Sequence, residues 1–139
     1  MLQTVTKTRF YSPGPIFREG DRGSEMYVIR SGHVKVTKNV HGIMVRIAEL
    51  GRGDHFGEMA LIDGTPRSAT ALAEDQVEVD VYDDAALKQL IAEDPEFALN
   101  MLRAMSTRLR EVDDRVTELV ARGRLPHADA AHLSEHTTY

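Results

Sequence analysis

Apolar and polar residues alternate through Val34-Lys35-Val36-Thr37, which sets the valines on one side of an extended run and the polar pair on the other. Short β-prone runs of the same kind fall at Arg9–Tyr11, Pro15–Phe17, Glu25–Ser31, His33–Asn39, Ile43–Leu50, Arg67–Ala73 and Gln76–Tyr82. Turn residues separate them, at Ser12-Pro13-Gly14, Gly20-Asp21-Arg22-Gly23, Ser31-Gly32, His41-Gly42, Gly51-Arg52-Gly53 and Asp63-Gly64. Many short strands at this spacing predict a β-barrel or jelly roll. Near residue 83 the pattern turns helical. Asp83 and Asp84 are placed to cap a short helix to about Ala92. Asp94-Pro95 opens a second helix, which runs to about Arg122 before Gly123 and Pro126 stop it.

Along that second helix Leu102, Met105, Leu109, Val112, Val116 and Leu119 recur at spacings of 3, 4, 3, 4 and 3, a heptad seam. With Leu102 as an a position, Arg108 falls at g and Asp113 at the following e, where a parallel homodimer can pair them. A single stripe of this length also fits a helix packed on its own barrel.

Composition narrows the class. The 139 residues suit one domain. No apolar run approaches the ~20 residues of a membrane helix. Met1–Lys7 lacks the apolar stretch of a signal peptide, so a cytoplasmic location without membrane contact is expected. With no Cys, disulfides, thiolate zinc and Cys-ligated iron–sulfur clusters are excluded. A net charge of −5 argues against a surface that coats nucleic acid, though not against a local basic pocket. The stretch 123–139 carries His127, His132 and His136 and is expected to be a flexible tail; the last two stand four apart, a spacing that also suits a metal pair on a helix.

Chemistry concentrates in Phe56-Gly57-Glu58-Met59-Ala60-Leu61-Ile62-Asp63-Gly64-Thr65-Pro66-Arg67-Ser68-Ala69-Thr70-Ala71. Gly57, Gly64 and Pro66 interrupt any strand, and a loop around one helical turn, Glu58–Ile62, remains. The start of such a turn offers unpaired N–H groups to an anion, and Gly57 lets a ligand approach the backbone. Arg67, set by Pro66, presents a guanidinium suited to a phosphate, and Ser68 adds a hydroxyl. Glu58 repels an anion but accepts hydrogen bonds from sugar hydroxyls. One acid for a sugar and one arginine for a phosphate describe a nucleotide. Blander alternatives are a surface Arg67–Glu58 ion pair, a plain strand hydroxyl at Ser68 and a mere turn at Gly57. His33, His41 and His55 are expected to be surface or half-buried residues rather than ligands.

This stretch resembles the phosphate-binding cassette of cyclic nucleotide-binding domains, as found in catabolite activator proteins, protein kinase A regulatory subunits and cyclic-nucleotide-gated channels. The run Ile16-Phe17-Arg18-Glu19-Gly20-Asp21 and then Met26-Tyr27-Val28-Ile29-Arg30-Ser31-Gly32-His33-Val34 is similar to that family's first strand pair. The likeness covers about Arg9 to Leu119. It implies a mainly β fold with α: a double-stranded β-helix (jelly-roll) barrel, then a short helix and a long C-terminal lid and dimerisation helix. The implied organisation is a β-roll over 1–83 holding the cassette 56–71, a helical lid and dimer seam over 84–122, and the tail. By resemblance Glu58 would hold the ribose 2′-OH and Arg67 the cyclic phosphate. Phe56 and Ala69 would flank the ligand, Gly57, Met59 and Ala60 would supply backbone contacts, and Ser68 would touch the phosphate or the base.

One departure concerns the base. Where the catabolite activator places a Thr-Ser pair on the lid helix, this chain has Val112 and Asp113, which puts adenine recognition by hydroxyls in doubt. An acid there resembles the cyclic-nucleotide-gated channels, with Asp113 or Asp114 facing a guanine edge and Arg108 reaching the phosphate side. The seam role and the base-contact role of Asp113 compete, so cAMP is favoured over cGMP only modestly as the expected ligand, and no cofactor is expected.

The expected function is that of a cytoplasmic cyclic mononucleotide sensor, not an enzyme. It would signal through movement of the 84–122 helices to a protein effector, and dimerise through the 95–122 helix. A second possibility is a fragment of a catabolite activator-like transcription regulator. Only 17 residues follow Arg122, too few for the winged helix-turn-helix of that class, so no direct DNA binding is expected of this chain. A third is a cupin-type metal enzyme, for which His55 and Glu58 give half a site.

Overall fold

The computed structural model describes residues 7–122. The histidine-bearing tail, 123–139, and the Val112 side chain lie outside the described residues. Among the described residues, eight strands and three helices follow one another. They are β1 (Lys7–Tyr11), β2 (Gly14–Phe17), β3 (Met26–Ser31), β4 (Val34–Val40), β5 (Ile43–Leu50), β6 (His55–Phe56), α1 (Glu58–Asp63), β7 (Thr70–Ala73), β8 (Val77–Tyr82), α2 (Asp84–Glu93) and α3 (Pro95–Ala121).

The strands form two four-stranded antiparallel sheets, in the orders β1-β8-β3-β6 and β2-β7-β4-β5. Alternation decides which side chains enter. In β8, Val77, Val79 and Val81 are buried while Glu78, Asp80 and Tyr82 are not. They meet Tyr27 and Ile29 of β3, Val34 and Val36 of β4, Leu50, Phe56, and Ala71 and Ala73 of β7 in one core between the sheets. Phe56 is the largest of the fully buried side chains in this core. The fold is thus the mainly β architecture with helices that the strand pattern and the resemblance imply.

Most strand ends fall within two residues of the sequence reading, and two features depart further from it. β7 begins at Thr70, not Arg67. The backbone of Arg67 bonds instead to the β2–β3 loop: its N–H donates to Asp21 O and its carbonyl accepts from Gly20 N, both at 2.8 Å. The two-residue β6 was not expected; it is too short to show alternation and is defined by pairing with Tyr27 and Val28.

The helix ends follow their caps. Asp83 Oδ1 accepts from Ala86 N at 2.8 Å at the start of α2. Asp94 Oδ1 accepts from Phe97 N at 3.2 Å at the start of α3, with Pro95 next in line. The chain divides into two compact units, one reaching Glu93 and one from Asp94 onward. Helix α2 belongs to the first, where Ala86 and Leu87 are buried. The second is α3, 27 residues long, on which Leu102 and Leu109 are exposed.

Candidate functional site

The turn from β6 into α1 and the segment leading to β7 build one pocket. Phe56 is buried at the end of β6. Gly57 then adopts φ 83°, a left-handed conformation that favours glycine, and α1 starts. A Cβ on Gly57 would stand 2.8 Å from Arg67 Nη1 and 3.1 Å from Glu25 O, so the position also lacks space for a side chain. Phe56, Gly57, Met59, Ala60, Arg67, Ser68 and Ala69 line the pocket, with Phe17, Val36 and Ala71 completing its apolar wall.

Arg67 is the charged element of this wall, only 5% exposed. Its Nη1 donates to Glu25 O at 2.9 Å and to Gly57 O at 3.0 Å. Its Cζ lies 4.2 Å from the centroid of Phe17 and 5.7 Å from that of Tyr27. Burial pulls the guanidinium pKa down from its ordinary value, against the raising fields of Tyr27, Glu25 and Asp21. Among the described residues no carboxylate lies within ion-pair distance of it, and Nε and Nη2 have no hydrogen-bond partner. The surface Arg67–Glu58 pair, the blander alternative, is not what forms. The Tyr27 hydroxyl is pushed up to about 12, chiefly by burial.

Glu58 does not line the pocket. It is fully buried on α1, with Oε1 3.7 Å from Nε2 of His55. His33 and His41 are exposed as expected, whereas His55 is buried beside this acid. Ser68 lines the pocket, and its carbonyl accepts from Lys38 Nζ at 2.7 Å. Arg108, Val112 and Asp113 lie on α3, in the second unit.

Sequence reasoning passed over Phe17, Gly23, Glu25 and Tyr27 as site residues. A Cβ on Gly23 would stand 2.6 Å from Arg67 Nη2, so this glycine too makes room for the guanidinium. These four sit 40 to 50 positions before Arg67 in the chain, a distance no local pattern spans.

The cyclic nucleotide-binding domain model matches residues 8–94. The chain belongs to that family. A cyclic AMP receptor protein of Thermus thermophilus is 37% identical over 125 residues, which cover 86% of this chain and 58% of the relative. A cAMP-dependent protein kinase regulatory subunit of Schizosaccharomyces pombe is 36% identical over 104 residues, 74% of this chain and 24% of the relative. The solved catabolite activator protein of Thermus thermophilus superposes with a TM-score of 0.70 at 29% identity, over 95% of this chain and 73% of that one. The chain therefore spans little more than half of one relative and about a quarter of the other. These relatives are a receptor, a regulatory subunit and an activator by name, not enzymes. They lend no support to the expectation of no DNA contact. No helix among the described residues is long and apolar enough to cross a membrane, and no three metal-binding side chains gather among them.

Proposed function

We propose that the chain senses a cyclic mononucleotide, cAMP first and cGMP second, in the pocket between α1 and the segment before β7. The observation that carries this reading is the buried Arg67 guanidinium, whose hydrogen bonds among the described residues go to backbone carbonyls alone and whose face lies on Phe17. A largely buried charge with no ion-pair partner among the described residues is costly, and a phosphodiester entering the pocket lowers that cost. In the bound state Nε and Nη2 of Arg67 hold the cyclic phosphate, Gly57, Met59 and Ala60 present backbone groups to it, and Ser68 adds its hydroxyl. Phe56 and Ala69 pack against the ligand. Glu58 accepts from the ribose 2′-OH once the pocket opens to it, while Arg108, Val112 and Asp113 supply contacts from α3. A cyclic phosphodiester carries one negative charge, shared by its two exocyclic oxygens, which suits the fork of a single arginine.

The signal is a redistribution between two arrangements of the helices. A ligand that favours one by about 1.4 kcal/mol shifts the population ratio tenfold. The same reading includes an α3 homodimer, a cytoplasmic setting and a protein effector. A thermal-shift screen with cAMP, cGMP and cyclic dinucleotides tests the ligand class. A saturable rise in melting temperature with a mononucleotide is expected, and a rise with cyclic dinucleotides alone contradicts it.

A further inference from the structure

We propose that Arg9, on β1, is a positioning residue for nucleotide binding, acting through Glu25 on the guanidinium of Arg67. The inference rests on the reading that Arg67 holds the cyclic phosphate. Arg9 grips Glu25 with both arms of its fork, Nη1 to Oε1 and Nη2 to Oε2, each at 3.0 Å. The Tyr27 hydroxyl donates to the same Oε1 at 3.4 Å. Glu25 in turn offers its backbone carbonyl to Arg67 Nη1 at 2.9 Å.

The placement of Glu25 gives this chain of contacts its weight. Glu25 precedes β3, which starts at Met26, so the sheet register does not include it. Arg9 is fixed, because its backbone sits opposite Val79 within the β1–β8 ladder. The loop between β2 and β3 thus has two anchors. At its near end Gly20 N and Asp21 O bond the backbone of Arg67, and Arg18 N donates to Asp21 Oδ2 at 2.9 Å. At its far end the bidentate Arg9 contact holds the residue whose carbonyl aims the guanidinium. Releasing Arg9 frees the far end alone: Arg67 stays in place by its backbone while its side chain loses a fixed acceptor.

A purely structural role makes a different forecast. Arg9 and Glu25 keep 38% and 32% of their side-chain surface exposed, and exposed ion pairs contribute little to stability. Affinity therefore moves more than melting temperature. The experiment titrates the full chain with cAMP by calorimetry, for wild type, Arg9→Gln, Glu25→Gln, the double variant and the charge-swapped pair Arg9→Glu/Glu25→Arg. In parallel, the Nε–H resonance of Arg67 is followed by NMR without ligand, assigned by its loss in Arg67→Lys. Each single variant is expected to weaken binding about three- to tenfold. The double variant is no weaker than the weaker single, the swapped pair recovers affinity, and the Arg67 resonance shifts in every variant that binds poorly. Melting temperatures stay within about 5 °C of wild type. Affinities within twofold of wild type, additive losses in the double variant, or an unmoved Arg67 resonance overturn the inference and leave the sensor reading intact. A wild-type chain that binds no cyclic mononucleotide overturns both.

Discussion

The Cζ of Arg67 stands 4.2 Å from the centroid of the Phe17 ring. The ring covers one face of the buried guanidinium, and attraction between a cation and an aromatic face strengthens as water is removed. Phe17→Leu keeps an apolar wall but removes the quadrupole. It is expected to weaken cAMP binding by about 0.5–2 kcal/mol in a calorimetric titration. Unchanged affinity would show that the ring only fills space.

Arg67→Ala removes the counter-ion of the phosphate while leaving the two carbonyl acceptors, Glu25 O and Gly57 O, to water. A loss of about 2–4 kcal/mol in cAMP affinity is expected. Arg67→Lys, with one ammonium in place of the fork, falls between the two. Equal affinity in all three proteins contradicts the phosphate role.

Gly57→Ala meets two obstacles, the positive φ of 83° and the 2.8 Å approach of Arg67 Nη1. The substitution is expected to destabilise the fold by about 1–3 kcal/mol and to weaken binding as well, because the guanidinium must move. Denaturant unfolding and titration check the two effects separately.

His33 Nδ1 lies 2.7 Å from Asp75 Oδ2 on the exposed surface. The hydrogen bond to Asp75 raises the His33 pKa above 6.5, and the same bond lowers the Asp75 pKa below 3.8. A raised histidine stabilises the fold below pH 6.5 and loses that contribution as pH climbs through its folded value. A lowered carboxylate stabilises above pH 3.8 and loses its contribution as pH falls through its folded value. Both therefore act together between about pH 4 and 6.5. His33→Gln is expected to lower the melting temperature slightly at pH 5 and hardly at all at pH 8, with the difference shrinking in high salt. A difference independent of pH contradicts this.

Leu109 is exposed on α3, within the heptad seam. If that seam joins two copies, Leu109→Glu sets like charges against each other and yields a monomer. Sedimentation velocity with cAMP present decides it: a wild-type chain already monomeric removes the dimer.

Much of the fold was legible because its signals are local. The valines at 77, 79 and 81 declare a face of β8, and Asp94-Pro95 declares the start of α3 before any contact is known. The cassette was legible for the same reason: Gly57, Glu58, Arg67 and Ser68 lie within twelve positions of one another. What surrounds Arg67 was not. Phe17, Gly23, Glu25 and Tyr27 reach it only after two sheets have closed, and as isolated letters they look like core or turn residues. The late start of β7 has the same origin, since Arg67 gives its backbone bonds to the Gly20–Asp21 turn rather than to a strand. The burial of His55 beside Glu58 follows from β6, whose two residues are too few to carry a pattern.

Equilibrium titration of the purified wild-type chain, freed of any co-purifying nucleotide by unfolding and refolding, tests the central claim most directly. One saturable cAMP or cGMP site per chain, lost when Arg67 becomes alanine, is the expected result. No saturable uptake of either nucleotide, or uptake that the Arg67 variant retains in full, contradicts it.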